Sequence, residues 1–224
     1  SPGCGKTVTS LLPEDSIERL MAATTRDLLL ELVPLHVRGR TLDLGAGSAK
    51  YRELFKAHAS SYETFDADPR PGIDTVGDIH ALPYADATFD TVVSTQVLEH
   101  VTEPWRAAEE TARILKPGGK CIFTMPFLIQ YHAHPDDYYR YTIQGGTHLC
   151  TRVGLEIVET RAIGGFCTVL AEMIRFSIAS PYHKPGKVRR ILIEWIHRFL
   201  TSIDRVPANA TLYANTCIIA RKPA

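Results

Sequence analysis

The sequence predicts an α/β fold: a doubly wound, mostly parallel seven-stranded sheet with helices on both faces and a helical insertion before the last strand. Three observations carry this. Short apolar runs alternate with stretches of helical periodicity, the rhythm of parallel strands joined by right-handed crossovers. The first such run, Thr41-Leu42-Asp43-Leu44, breaks directly into Gly45-Ala46-Gly47-Ser48-Ala49. Further on, Lys116-Pro117-Gly118-Gly119 stops a helical stretch just ahead of another apolar run.

Taken in order, residues 1–14 read as a flexible arm. Gly5-Lys6-Thr7 matches the end of a P-loop, but without the earlier glycine and the feeding strand it is assigned to the arm. A helix is expected over 15–38. Its apolar positions Ile17, Leu20, Met21, Leu28 and Leu32 recur at helical steps, Asp15 or Ser16 can cap it, and Pro34 and Gly39 close it. After the first strand, a helix runs from about Lys50 to His58. Tyr62 to Phe65 forms a second strand ending in Asp66-Ala67-Asp68, and Thr75-Val76 a short third before Gly77-Asp78. Thr91 to Thr95 is a buried fourth strand, Glu103 to Leu115 a helix, and Lys120 to Met125 the fifth strand, with Pro117-Gly118-Gly119 as the turn between. A helix from Thr142 to Val153 leads into a strand from Leu155 to Arg161. Residues 162–206 insert two helical stretches, the second with an apolar stripe of Val188, Ile191, Leu192, Trp195, Phe199 and Ile203. Leu212 to Ala220 closes the sheet, so 15–224 reads as one domain.

Composition narrows the function. Lys+Arg and Asp+Glu both number 25, so no basic excess argues for nucleic acid as a partner. The five cysteines are spaced without CxxC pairing, which reads as a reduced, cytoplasmic set. No apolar run approaches the length of a membrane span.

A loop after the first strand of such a sheet lies at the carboxyl edge, where ligands bind. Gly45 and Gly47 let the backbone approach a ligand closely. The dinucleotide fingerprint needs a third glycine where Lys50 stands, which leaves a nicotinamide-dependent oxidoreductase as the weaker alternative. Acids surround the loop. Asp43 precedes it, Asp66 ends the second strand where a carboxylate can accept both ribose hydroxyls, and Asp78 with Ile79 offers an acceptor and a backbone donor to an adenine edge. Three acids and no phosphate-binding cation suit a nucleoside that lacks phosphates and carries positive charge. S-adenosylmethionine, with its sulfonium and ammonium groups, is such a molecule.

The series Asp43-Leu44-Gly45-Ala46-Gly47, Gly77-Asp78-Ile79-His80-Ala81-Leu82-Pro83, Phe89-Asp90, Val97-Leu98-Glu99-His100 and Leu115-Lys116-Pro117-Gly118-Gly119 resembles the class I S-adenosylmethionine-dependent methyltransferases, a family with a Rossmann-like sheet. The likeness is closest to the branch acting on small molecules (methyltransferase type 11-like). It is strong over about 40–125 and weaker beyond, and Ala49 stands where many members carry a third glycine. The resemblance implies that Asp43, Gly45, Ala46 and Gly47 line the methionine portion. It places Asp66, Ala67 and Asp68 at the ribose, Asp78 and Ile79 at the adenine, and Ser94 or Gln96 near the methionine end. On this reading 40–125 is the cofactor-binding half, 126–161 the acceptor loop with its helix and strand, 162–206 an insertion or lid, and 207–224 the closing strand and tail.

Methyl transfer from a sulfonium is an in-line displacement that needs alignment, exclusion of water and somewhere for a proton to go. The segment His132-Ala133-His134-Pro135-Asp136-Asp137-Tyr138-Tyr139-Arg140-Tyr141-Thr142 occupies the acceptor position and resembles a H-x-x-P-x-D-Y-x-R-x-T pattern in bacterial members of this branch. His132 is the general-base candidate, with Asp137 to orient it, Arg140 to hold an anionic group of the acceptor and Tyr138 beside them. The competing reading is an Asp137–Arg140 ion pair that shapes the loop, with Tyr138 and Tyr139 packed beneath it. His132, His134 and Asp136 have the donor types of a metal site, yet loop histidines near acids are common without metal and none is expected. Glu99-His100 reads as a structural hydrogen-bonding pair. For the 162–206 insertion the expected role is a lid or a homodimer face. Membrane-surface contact is the weaker alternative, because Glu194 and Asp204 interrupt the basic side formed by Lys187, Arg189, Arg190, His197 and Arg198. The acceptor is expected to be a small molecule. A cofactor-binding partner subunit without catalysis is the non-enzyme alternative.

Overall fold

The structure, a computed structural model, describes residues 24–133, 136–178, 186–204 and 211–224. The predicted arm with its Gly5-Lys6-Thr7, the Asp15 or Ser16 cap, and His134 lie outside the described residues. Seven strands form one sheet in the order β3-β2-β1-β4-β5-β7-β6. These are β1 (Arg40–Leu44), β2 (Ser61–Asp66), β3 (Thr75–Val76), β4 (Phe89–Thr95), β5 (Leu115–Pro126), β6 (Glu156–Ile163) and β7 (Asn215–Arg221). The pairings from β3 through β5 are parallel, whereas β7 runs antiparallel to both β5 and β6. The mostly parallel, doubly wound sheet read from the sequence is therefore present, and β7 is its reversed member.

The strand order reverses between β1 and β4, so their carboxyl ends open a crevice there. Helices α1 (Thr25–His36) and α2 (Arg52–Lys56) cover one face and α3 (Pro104–Ile114) and α4 (Ile143–Thr151) the other, while α5 (Phe166–Ile178) and α6 (Lys187–Ile203) pack against each other. Alternation along the strands decides which face each side chain serves. Val93, Ile122 and Ile219 pack with Leu28, Leu32 and Phe55 of α1 and α2. Their neighbours Val92, Phe123 and Ile218 pack with Ala107, Ala108 and Leu149 of α3 and α4. The central strands β1, β4 and β7 are buried on both faces and are largely apolar for that reason, whereas β2 and β6 carry polar residues.

The helix read over 15–38 is interrupted at Thr24, an extended N-cap whose hydroxyl accepts the Asp27 N–H, so α1 itself begins at Thr25. Two further boundaries differ from the sequence reading. Pro34 lies inside α1 instead of closing it. The helical bond it forfeits would be to the carbonyl of Leu30, which faces solvent, so the missing donor leaves no buried polar group unpaired. Lys116 to Gly119 is a bulge within β5 and not a turn ahead of it: Phe89 pairs Leu115, yet Thr91 already pairs Lys120. Gly118 takes φ +76°, and a Cβ on Gly119 would lie 2.9 Å from the Lys116 carbonyl oxygen. Only glycine admits that backbone approach.

Candidate functional site

At the crevice, β1 runs into a loop that the chain itself fixes. The N–H groups of Gly45 and Ala46 donate to the Phe65 carbonyl at 2.8 and 3.0 Å, and that of Gly47 donates to Asp66 Oδ2 at 2.7 Å. Gly45 (φ +76°) and Gly47 (φ +56°) both sit in the left-handed region. Beyond that, a Cβ at Gly45 would lie 2.5 Å from a Val97 methyl, so backbone and side chain meet there with no room to spare. Asp66 Oδ1 accepts the Asp68 N–H at 3.0 Å. The carboxylate expected at the ribose thus also clamps two backbone groups, using one lone pair on each oxygen and leaving others free.

The loop borders a cavity of about 230 Å³ lined by Asp43, Gly45, Ala46, Gly47, Ser48, Lys50, Tyr51, Thr95 and Gln96. A larger hollow of about 440 Å³, bounded by Glu109, Arg113, Val153 and Lys222, lies at the opposite, amino edge and touches none of these groups. Asp43 is 3% exposed, and burial pushes its pKa up to about 6, against the pull of the Tyr62 hydroxyl that donates to it at 2.6 Å and of nearby Arg52. The pocket therefore contains a carboxylate whose charge is expensive until a cation arrives. Asp78 is exposed; its Oδ1 accepts the His80 N–H at 2.9 Å, and this bond holds its carboxyl below the ordinary range.

Of the two residues expected after β4, Gln96 lines the cavity, in a left-handed conformation (φ +57°) with its N–H donated to the Thr124 carbonyl at 2.8 Å. Ser94 does not. It is buried in the strand with its hydroxyl unpartnered, and Thr95 takes the lining position instead. Depth in the strand separates them: Ser94 lies within β4, Thr95 is its last residue and Gln96 follows it. Ser48, Lys50 and Tyr51 are lining residues that the sequence reading passed over. They follow the second glycine directly, where a loop must turn around its ligand.

On the acceptor side the side chains are placed differently from the expectation. The Arg140 guanidinium grips the fully buried Asp137 carboxylate with both Nη atoms, one at 2.6 Å. Its remaining donors go to the carbonyls of Ile129 (2.9 Å), Gln130 (2.8 Å) and Tyr139 (2.7 Å). All five N–H donors are occupied, so Arg140 has none left for an anionic acceptor, and its expected role is corrected to that of a loop lock. Arg140 also holds the Asp137 carboxyl down at about 2. Asp137 accepts the His132 backbone N–H at 2.8 Å and lies 3.5 Å from its ring Nδ1, while the ring Nδ1–H donates to the Gln130 carbonyl at 3.0 Å. Tyr138 is exposed rather than packed beneath the pair, and Tyr139 packs against the core beside Leu98 and Tyr141, its hydroxyl donating to the Thr102 carbonyl at 2.9 Å. The segment's end is tied to the region before β7: the N–H groups of Phe127 and Leu128 donate to the Ala214 carbonyl, and the Thr216 hydroxyl to that of Tyr141.

The trio His132, His134 and Asp136 is described only in part. His134 is outside the described residues, and Asp136 contributes its carbonyl, which accepts from His100 Nδ1 at 2.5 Å. His132 instead meets Glu99 and His100 from the 3-10 turn Leu98–His100, with the two imidazole rings 5.1 Å apart and perpendicular. The Glu99 carboxylate raises the His132 imidazole above its usual value.

In the insertion, Asp204 caps α5 by accepting the N–H groups of Gly165 (2.7 Å) and Thr168 (2.8 Å). The α6 stripe is solvent-facing, Trp195 being 72% exposed, so among the described residues it packs over no acceptor pocket. No helix among the described residues is long and apolar enough to cross a membrane.

Comparison with known proteins bears on the half of the chain that builds the cavity. Residues 42–123 match the family described as a methyltransferase domain. An uncharacterised methyltransferase of Mycobacteroides abscessus is 33% identical over 114 residues, 44% of this chain and 44% of that protein. The 27-O-demethylrifamycin SV methyltransferase of Amycolatopsis mediterranei is 30% identical over 128 residues, covering 48% of this chain and 46% of its own length. The matched stretch thus spans less than half the length of these relatives. Among solved structures, the [4+2]-cyclase SpnF superposes with TM-score 0.57 at 21% identity, over 88% of this chain and 79% of that one. Phosphoethanolamine N-methyltransferase 2 of Haemonchus contortus, in complex with S-adenosyl-L-methionine, gives 0.55 at 16% identity, over 91% and 54%. Sheet order, glycine loop and sequence likeness converge: residues 42–123 are similar to a methyltransferase domain, and the chain has the fold of solved S-adenosylmethionine-dependent methyltransferases.

Proposed function

We propose that the chain transfers the methyl group of S-adenosylmethionine to a small-molecule acceptor by in-line displacement. The observation that carries this reading is the buried Asp43 at the floor of a glycine-loop cavity, poised above the ordinary carboxylate pKa and relieved by a cationic ligand. When bound, S-adenosylmethionine supplies an electrophilic methyl on a sulfonium. The chain's part is to hold it. Asp43 offers its charge to the ammonium end, and Gly45 to Gly47 let the backbone close on it. Asp66 and Asp68 present carboxylates to the ribose, Asp78 and Ile79 face the adenine, and Gln96 borders the methionine end.

The rifamycin relative supports a small-molecule acceptor, and the aromatic segment after β5 stands where such an acceptor would lie. The cyclase among the structural neighbours is a reminder that this fold hosts other reactions. Nicotinamide chemistry is disfavoured by Lys50 in the third glycine position and by an acid rather than a phosphate-binding group at the cavity floor. Calorimetry with S-adenosylhomocysteine tests the proposal. Binding by the parent chain and weakening by about tenfold or more in Asp66→Ala are expected, since that change removes both a ribose acceptor and the clamp on Gly47. No binding, or no effect of Asp66→Ala, overturns it.

A further inference from the structure

Glu99 is a carboxylate in an anomalous setting. Its side chain is fully buried, and neither Oε1 nor Oε2 has a hydrogen-bond partner. Buried charges are normally paired or bound to metal, because the loss of hydration is otherwise uncompensated. Two imidazoles face it, each with Nε2 at 3.7 Å from Oε1. That is too long for an N–H···O hydrogen bond, which closes to about 3.2 Å or less.

The tautomers follow from what the other ring nitrogens touch. His100 Nδ1 meets the Asp136 carbonyl at 2.5 Å, and His132 Nδ1 meets the Gln130 carbonyl at 3.0 Å. A carbonyl oxygen only accepts, so both Nδ1 atoms carry the proton and donate it. In the neutral rings each Nε2 then presents a bare lone pair, and both lone pairs point toward the orphaned carboxylate. With both rings neutral, three donor atoms from three side chains converge within 4.8 Å of one another and none carries a proton. An imidazole whose Nδ1–H is given to a backbone carbonyl while Nε2 stays free is the arrangement of metal-ligating histidines.

We propose that Glu99, His100 and His132 bind a divalent first-row transition ion, of the zinc or iron(II) type that imidazole and carboxylate favour. Two ligands about 2.1 Å from a common ion at a tetrahedral angle stand about 3.4 Å apart, so 3.7 Å needs only a small rotation of each ring. With an ion between them the lone pairs face a cation, and the buried carboxylate gains its missing partner. Three protein ligands leave positions open, as in catalytic rather than structural sites. The imidazoles are partly exposed, 19% and 28% by side chain, which supplies a way in for the ion and for an oxygen-bearing ligand. Val97, which packs on Gly45, begins the same turn, so the ion would lie beside the cavity for the methyl donor. That it would there orient an acceptor hydroxyl or carboxylate rests on the methyltransferase reading; the binding of the ion does not.

The competing state is a pair of imidazolium rings around a carboxylate, which takes up no metal. The test uses the untagged full chain, stripped with a chelator, without any methyl donor. Co²⁺ is titrated in, followed by its visible d–d absorption, and Zn²⁺ is used to displace it. Uptake of one ion per chain is expected, with affinity at least about tenfold weaker in each of Glu99→Gln, His100→Ala and His132→Ala. Thermal melts establish that each variant folds, and Zn²⁺ is expected to raise the melting temperature of the parent but not of His132→Ala. No d–d band in the parent chain overturns the proposal, as does uptake that all three folded variants retain. Neither outcome bears on S-adenosylhomocysteine binding, so this site and the donor site stand or fall separately.

Discussion

Replacing Asp43 by Asn separates the cost of ionising a buried carboxylate from its use. The carboxyl titrates at about 6 in the folded chain, against an ordinary 3.8. A group that binds its proton more tightly when folded stabilises the fold while protonated, the reverse of the usual aspartate. Stability is therefore lost as pH rises from about 4 to about 6, and above that the loss is complete at about 3 kcal/mol, taking 1.36 kcal/mol per pH unit. Asparagine keeps an oxygen for the Tyr62 hydroxyl and carries no charge. Asp43→Asn should thus match the parent near about pH 4 and exceed it by up to about 3 kcal/mol at about pH 8. Urea denaturation across that range reads the difference directly. Affinity should move the other way: S-adenosylhomocysteine, through its ammonium, should bind the parent better as pH rises through about 6 and bind the variant weakly at every pH. An Asn variant less stable than the parent at about pH 8, or a stability gap that does not change with pH, would refute the reasoning.

Three further outcomes are expected. Gly45→Ala forces a Cβ against Val97 in a left-handed conformation, so a loss of about 2–4 kcal/mol and of donor binding is expected, whereas Gly47→Ala meets nothing closer than 4.0 Å and should cost about 1 kcal/mol, both read by thermal melts. Asp137→Asn leaves the Arg140 charge without its partner and should cost about 2–4 kcal/mol; Arg140→Met in the same background should recover part of it, and equal losses in single and double variants would argue against a coupled pair. Trp195→Glu on the exposed face of α6 should change stability by less than about 0.5 kcal/mol, and a larger drop would show that the stripe is covered in solution.

Much of the glycine-loop cavity was legible because its residues lie in one stretch of chain, although Asp66, Asp68, Asp78 and Ile79 are not among those that line it. The acids and glycines around β1 and β2 are set by strand ends, and the structure places Asp43, Gly45, Ala46, Gly47 and Gln96 around one cavity. The acceptor side was less legible because its partners are distant in sequence. Nothing in the spacing of Asp137 and Arg140 says that three backbone carbonyls would consume the remaining guanidinium donors. Likewise Glu99 and His100 read as a local pair, and only the return of the chain after β5 brings His132 to them. Pro117-Gly118-Gly119 looked like a turn because those residues suit turns, yet a bulge uses the same left-handed freedom without leaving the strand.

The reversed strand β7 carries a consequence for the order of assembly. It enters between β5 and β6, and until it does, β5 is an edge with its outer row of amides and carbonyls unmated. The carbonyl of Ala214, just ahead of β7, anchors Phe127 and Leu128, and Thr216 anchors Tyr141. The glycine-loop cavity, by contrast, draws its walls from β1, the loop after it and the end of β4, and these two strands pair with one another earlier in the chain. In pulse-labelled hydrogen exchange during refolding, the amides of β1 and β4 should be protected before those of Phe127 and Tyr141; simultaneous protection would contradict this. The last strand then works as a latch: the chain first shapes the glycine-loop cavity, and the segment after β5 is fastened only when the final strand slides home.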